Sequence, residues 1–260
     1  MSSQMMSIPT SAPRPGMRAW LKLCVCEAKM TARDTAGLLV PLMLPILILI
    51  TSASGASQQV IADGRTALDL FVLPLVFVMI ASIIGVTNMP SMLAYYRRSG
   101  ILRRLATTPL SPFMVLAAQV VVSFLQALLG IALSLGVAMG FFGASLPARP
   151  LASLGALVLV MFAMYGVGMI IASLAPTPNA AVALGFVGFL GLGALGGMFG
   201  GREALPDALA TVGEFLPFGA GVEVLAATWA GAPVDGSHLI ALLASVVVGT
   251  VVSAFFFRWE

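Results

Sequence analysis

Charge is scarce in this sequence. Of 260 residues, 9% are Asp, Glu, Lys or Arg, whereas 60% are hydrophobic, and the mean hydropathy is +1.06. A soluble domain carries roughly 25% charge and 45–50% apolar residues. So few charges cannot cover a water-facing surface, which excludes ordinary soluble enzyme folds. The high apolar content excludes a disordered chain. Lysine occurs only at Lys22 and Lys29, histidine only at His238, and cysteine only at Cys24 and Cys26. Two cysteines two apart on a helix point to roughly opposite sides and cannot bridge. They read as reduced thiols without a metal site.

Catalytic motifs are also missing. There is no G-x-x-x-x-G-K-[ST] phosphate loop, no H-E-x-x-H and no G-x-S-x-G. His238, at a span boundary, reads as an interfacial residue. Asp63-Gly64 has no second carboxylate cluster nearby, so metal-assisted chemistry on lipid headgroups has little support. Proton- or sodium-driven carriers need ionisable groups at mid-membrane, and Asp69 reaches only a span edge. Asn88, Gln119, Ser123, Gln126 and Ser134 can glue helices or line a cavity, but they cannot relay charge. An energy source for pumping must lie outside this chain.

What remains is membrane-spanning helix. Residues 1–16 read as a disordered tail. Residues 17–34 form an amphipathic helix in which Arg18, Lys22, Lys29 and Arg33 share a stripe opposite Trp20. Such a helix suits the membrane interface, and Glu27 is its misfit. Uncharged stretches then mark six spans, at about 38–56, 70–94, 113–142, 151–174, 180–200 and 239–257. Residues 150–201 as one helix would measure about 78 Å at ~1.5 Å per residue, too long for one bilayer. The Pro176-Thr177-Pro178-Asn179 turn must split it. Residues 258–260 form a short C-terminal end. With the N-terminus inside, ten of the 13 basic residues lie on inner segments and three on outer ones; three of the ten acidic residues are inner and seven outer. The inner side is then +7 and the outer −4, which recovers the net +3. The positive-inside rule thus sets both termini in the cytoplasm. Between spans five and six, residues 204–215 and 220–229 are too apolar for a free loop and too short to span. They read as a re-entrant hairpin containing Glu214, Pro217 and Glu223, with a surface helix pair as the alternative. The fold class is an all-α integral membrane domain over residues 17–257.

The inner loop between spans two and three is the richest segment. Arg97, Arg98, Ser99 and Gly100 lead into Ile101, Leu102 and Leu105, an apolar face flanked by Arg103 and Arg104, and Pro109 closes the helix. Read alone, it is either a docking helix or a basic loop touching acidic lipid.

The stretch R-x-S-G-I-L-R-R-L-A-T-T-P-L-S-P resembles the E-x-G-T-L-x-x-L-x-x-T-P-L-S segment of ABC type-2 permeases. W-L-K-L-C-V-C-E-A-K-M-T-A-R-D, followed by a proline-bearing span, is similar to that family's connecting helix. Residues 197–206, Phe215-Leu216-Pro217 and Trp229-Ala230-Gly231 are similar to its span-five exit and re-entrant region. Two departures stand out: Arg97-Arg98-Ser99 lacks the usual acidic residue before the Gly, and Gln119 stands where a Lys is common.

The resemblance implies a permease that exports a hydrophobic or amphipathic compound, such as a drug or lipid. It implies two cytosolic ATPase subunits, which carry the ATP and Mg while this chain holds no cofactor, and a second permease subunit, identical or related. Residues 98–108 would be the coupling helix, and Glu27 would pair with a loop or ATPase arginine. Phe77 and Asn88 on span two, with Phe186, Phe189 and Met198 on span five, would line the cavity. Membrane lipids are expected partners, nucleic acid is not, and the location is the plasma (inner) membrane. Two rival readings are a lipid-modifying membrane enzyme, which needs clustered carboxylates or histidines, and a non-transporting anchor or immunity component, which needs no docking helix.

Overall fold

The computed structural model describes residues 16–53, 59–62, 65–101 and 112–256. In chain order they form α1 (Met17–Arg33), α2 (Thr35–Ala53), a ribbon of β1 (Val60–Ala62) and β2 (Arg65–Thr66), α3 (Leu68–Arg98), α4 (Pro112–Phe142), α5 (Pro150–Leu174), α6 (Pro178–Leu195), α7 (Asp207–Phe215), α8 (Pro217–Ala230) and α9 (Gly236–Phe256). Among the described residues, α2, α3, α4, α5, α6 and α9 are each long and apolar enough to cross a membrane. The chain is a multi-pass, all-α membrane protein.

The span boundaries differ from the sequence reading for local reasons. α2 starts at Thr35 because Asp34 caps it: Gly37 N donates to Asp34 Oδ1 at 3.0 Å and Leu38 N to Asp34 O at 2.8 Å. α6 stops at Leu195, five residues short, because Gly197, Gly200 and Gly201 take positive φ values of 89°, 111° and 85°. Only glycine adopts these freely, so the apolar run continues while the helix does not. The β1–β2 ribbon was not anticipated, and residues 54–56 and 257 of the expected spans lie outside the described residues.

α3 is the axis of the bundle. In its most apolar window 72% of residues are buried, against 17% in α9 and 22% in α6. It contains two π-helical segments, Leu68–Val72 and Ile83–Asn88, each followed by a proline, Pro74 and Pro90. Proline has no N–H to donate and its ring crowds the carbonyl four residues back, so a wider turn ahead of each proline is the expected accommodation. α2, α4, α5, α6 and α8 all pack against α3. α9 lies against α5, where Gly166 and Gly249 let the two backbones meet. α7 and α8 meet at a 74° bend, because Leu216 is extended (φ −69°, ψ 151°) ahead of Pro217, as pre-proline sterics favour.

Proline also explains the main polar joint. Pro41 lies inside α2 and cannot donate to the carbonyl of Gly37, four residues back. Two amides take that carbonyl instead: Asn88 Nδ2 of α3 donates to Gly37 O at 2.6 Å, and Gln126 Nε2 of α4 at 2.7 Å. In a hydrocarbon environment a freed carbonyl needs such a partner. Replacing Asn88 or Gln126 by Ala should cost about 0.5–1.5 kcal/mol each. The double variant leaves the carbonyl unpaired and should cost more than the sum of the two. Pro41→Ala restores a backbone donor and should remove that excess. Thermal unfolding of the purified variants measures the cycle.

Candidate functional site

Three groups of polar side chains stand out: a clamp at the α1 end of the bundle, a cleft beside it, and an ion-pair network at the α7–α8 end.

At the α1 end, Trp20, Leu23, Cys24, Glu27, Met30 and Thr31 form the inward side of α1, and Arg18, Lys22, Lys29 and Arg33 are all exposed. The basic stripe is therefore on the free face, as its spacing suggests. Glu27 is buried, and Tyr96 Oη of α3 donates to its Oε2 at 2.5 Å. Tyr96 packs with Val115, Leu23, Met30 and Ile101. Among the described residues Glu27 is thus held by a tyrosine; Arg103 and Arg104 of the loop, candidates for the arginine expected to pair with it, lie outside them. Burial pushes the Glu27 carboxyl above its ordinary value, and the Tyr96 hydrogen bond partly offsets this.

Arg97, expected in the docking segment, faces α5. Its Nη2 donates to Ala172 O at 2.9 Å and Ala175 O at 2.6 Å. The guanidinium thus caps the last carbonyls of α5, where a cation also suits the helix dipole. Arg98 and Ser99 are exposed, Gly100 turns the chain at φ 68°, and Ile101 returns to the Tyr96 cluster. Leu102, Arg103, Arg104, Leu105 and Pro109 lie outside the described residues.

The cleft has a volume of about 370 Å³ and lies between α2, α3 and α6. Asn88, Phe186 and Phe189 line it, together with Asp34, Val40 and Ser91. The other two residues expected in a cavity are elsewhere. Phe77 is buried in the core, its ring 5.3 Å from that of Trp229 of α8. Met198 packs beside Gly193 and Arg202 at the α7–α8 end. The sequence reading missed the contribution of α2. Its one available signal was Asp34, an isolated acid at a helix boundary.

At the opposite end, Arg202 joins both acids of the α7–α8 region: Nη1 lies 3.3 Å from Glu214 Oε2, and Nη2 contacts Glu223 Oε1. His238 Nε2 lies 2.9 Å from Glu214 Oε1. His238 is buried, not the solitary interfacial residue expected from sequence. The pairing of Arg202 and His238 is invisible in the sequence because their partners lie 12 to 24 residues away. Pro217 opens α8 as its first residue. Asp69, buried in the first turn of α3, accepts from Ser145 N at 2.8 Å and from Thr66 N at 3.4 Å. Among the described residues no three His, Cys, Asp or Glu side chains converge as metal ligands.

Among the described residues, six apolar helices, an amphipathic leading helix and a bent helix pair before the last span make the frame of a multi-pass membrane protein. The sequence matches the ABC-2 type transporter family over residues 20–230; the chain belongs to that family and is the membrane-embedded permease component of an ABC transporter. No curated protein matches it. Members of the family work with ABC ATPase partners.

The Glu27–Tyr96 contact generates a prediction. Glu27→Gln keeps an acceptor for Tyr96, whereas Glu27→Ala strands a buried hydroxyl and should loosen α1 by about 1–3 kcal/mol. A carboxyl raised in the folded state binds its proton more tightly there than in the unfolded chain. Its docking is therefore strongest below the ordinary value of 4.5 and is lost as pH rises through the raised value. Amide exchange in α1 should slow as pH is lowered through this window, after correction for the intrinsic rate. Glu27→Gln should abolish that dependence.

Proposed function

We propose that this permease is half of an ATP-driven exporter that carries hydrophobic or amphipathic compounds out of the cytoplasm or the inner leaflet. Two copies, or this chain and a relative, assemble with two cytosolic ATPase subunits, which bind the ATP and Mg. The protein lies in the plasma membrane with both termini inside, as the +7 to −4 division of charge favours. The α1 end of the bundle is then cytoplasmic. α7 and α8, with their 74° bend, form a re-entrant hairpin on the outer side.

The observation that carries this reading is the joint of α1 to α3 at Glu27 and Tyr96. Two residues beyond Tyr96 begin residues 98–108, the proposed coupling helix. A push from the ATPase on that loop acts at once on α1, through Tyr96, and on α5, through Arg97. α1 leads directly into α2, a wall of the cleft. The absence of a phosphate-binding motif and of an ionisable relay in the sequence agrees with an external energy source.

The test is an Arg103→Glu/Arg104→Glu double variant, co-expressed with the ATPase subunit. Charge reversal should lower recovery of the complex at least tenfold and abolish ATP-dependent efflux while leaving membrane insertion intact. Normal assembly and normal efflux would overturn the coupling assignment.

A further inference from the structure

The cleft between α2, α3 and α6 has an unusual division of polarity. Val40, Leu44, Ile83, Val182, Phe186 and Phe189 make its walls apolar. The polar remainder gathers at the α1 end, and Asp34 is its only charged side chain; no Lys or Arg among the described residues lines the cleft. The carboxylate is exposed. Among the described residues it accepts one hydrogen bond, from Gly37 N to Oδ1. Of the neighbouring donors, Asn88 Nδ2 is committed to Gly37 O and Ser91 Oγ to Asn88 O, while the Thr87 hydroxyl, also in the cleft lining, is buried without a partner among the described residues. The nearby Glu27 carboxyl is held by Tyr96, so the charge that faces the cleft is that of Asp34.

This placement runs against the surroundings. The same end of the bundle carries the exposed Arg18, Lys22, Lys29, Arg33 and Arg98, a field that repels cations from the surface. A single carboxylate above an apolar slot is therefore a local exception. It complements a molecule with a flat or branched apolar body and one positively charged group.

We propose that the cleft binds cationic amphiphiles, with the cation at Asp34 and the apolar body between Val40, Val182 and Phe186. The inference rests on the exporter reading and adds the charge class of the substrate. A ligand enters from the cytoplasmic interface, cation last, so that its charge stays at the membrane surface while its body is withdrawn from lipid. A zwitterion with the same body brings an anionic group that offsets the pull of Asp34 on its cation, and an anion has no cation to offer.

The experiment uses the full chain in lipid nanodiscs and two fluorescent probes: a rhodamine ethyl ester, net charge +1, and its free acid, a zwitterion with the same aromatic body. Fluorescence anisotropy should show the ester binding about tenfold more tightly than the acid, a ratio typical of one partly screened charge pair. Asp34→Asn keeps the oxygen that caps α2 and removes the charge. It should weaken the ester about tenfold and leave the acid unchanged. Ser91→Phe fills the cleft and should weaken both. Equal binding of ester and acid, or an unchanged ratio in Asp34→Asn, overturns the charge assignment while Ser91→Phe sensitivity upholds the cleft as a binding site. Indifference of both probes to Ser91→Phe overturns the cleft itself. If Val182→Cys, in a Cys24→Ser/Cys26→Ser background, then crosslinks to a second copy, the cleft is a subunit interface instead.

Discussion

One carbonyl oxygen organises the α1 end of this protein. Pro41 leaves Gly37 O without its helical donor, and Asn88 and Gln126 reach across from two other helices to take it. In lipid the alternative is an unpaired polar group, which costs several kcal/mol. The proline therefore acts beyond α2 itself. It makes α2, α3 and α4 meet at a single point, and fixes their relative depth as apolar packing alone would not. The cleft wall, the cap at Asp34 and the approach of α1 all lie within a turn or two of that point. The opposite end is held differently, by the Arg202 ion pairs to Glu214 and Glu223. These groups are half-buried and partly screened, so their contribution is chiefly positional.

Much of this architecture is legible in the sequence because a bilayer imposes a coarse rule. A span must be about 20 apolar residues long, and charges must lie outside it. Those two constraints suffice for six helices, and the spacing of Arg18, Lys22, Lys29 and Arg33 suffices for the exposed face of α1. The bend at Leu216 follows from Pro217 in the same way.

The pairings were not legible. Glu27 looked like a misfit because its partner is Tyr96, 69 residues away, and no periodicity relates the two. Arg97 sits in a run of arginines and was read with them, yet its register on α3 turns it toward α5, away from the loop. Phe77 and Asn88 share a helix and were assigned to one cavity, but they face different neighbours: Trp229 for the first, Gly37 and the cleft for the second. The glycines after Leu195 carry no charge and so resembled continuing span, although their backbone angles end it. Each difference has the same source. Composition reports whether a residue is in the membrane, and only helix rotation reports what it faces.

The grip of Arg97 on Ala172 and Ala175 has a mechanical meaning. Those carbonyls belong to the last turn of α5, and Pro176 and Pro178 follow almost at once, stiffening the corner into α6. The guanidinium thus works as a tie rod from the end of α3 to that corner. α6 supplies Val182, Phe186 and Phe189 to the cleft. In the proposed coupling, a displacement of the α3 end would reach the cleft's far wall through these two links, and α1 would carry it to the near wall at α2. The two walls have separate linkages that start one residue apart, at Tyr96 and Arg97, so a single stroke can change the width of the slot as well as its position.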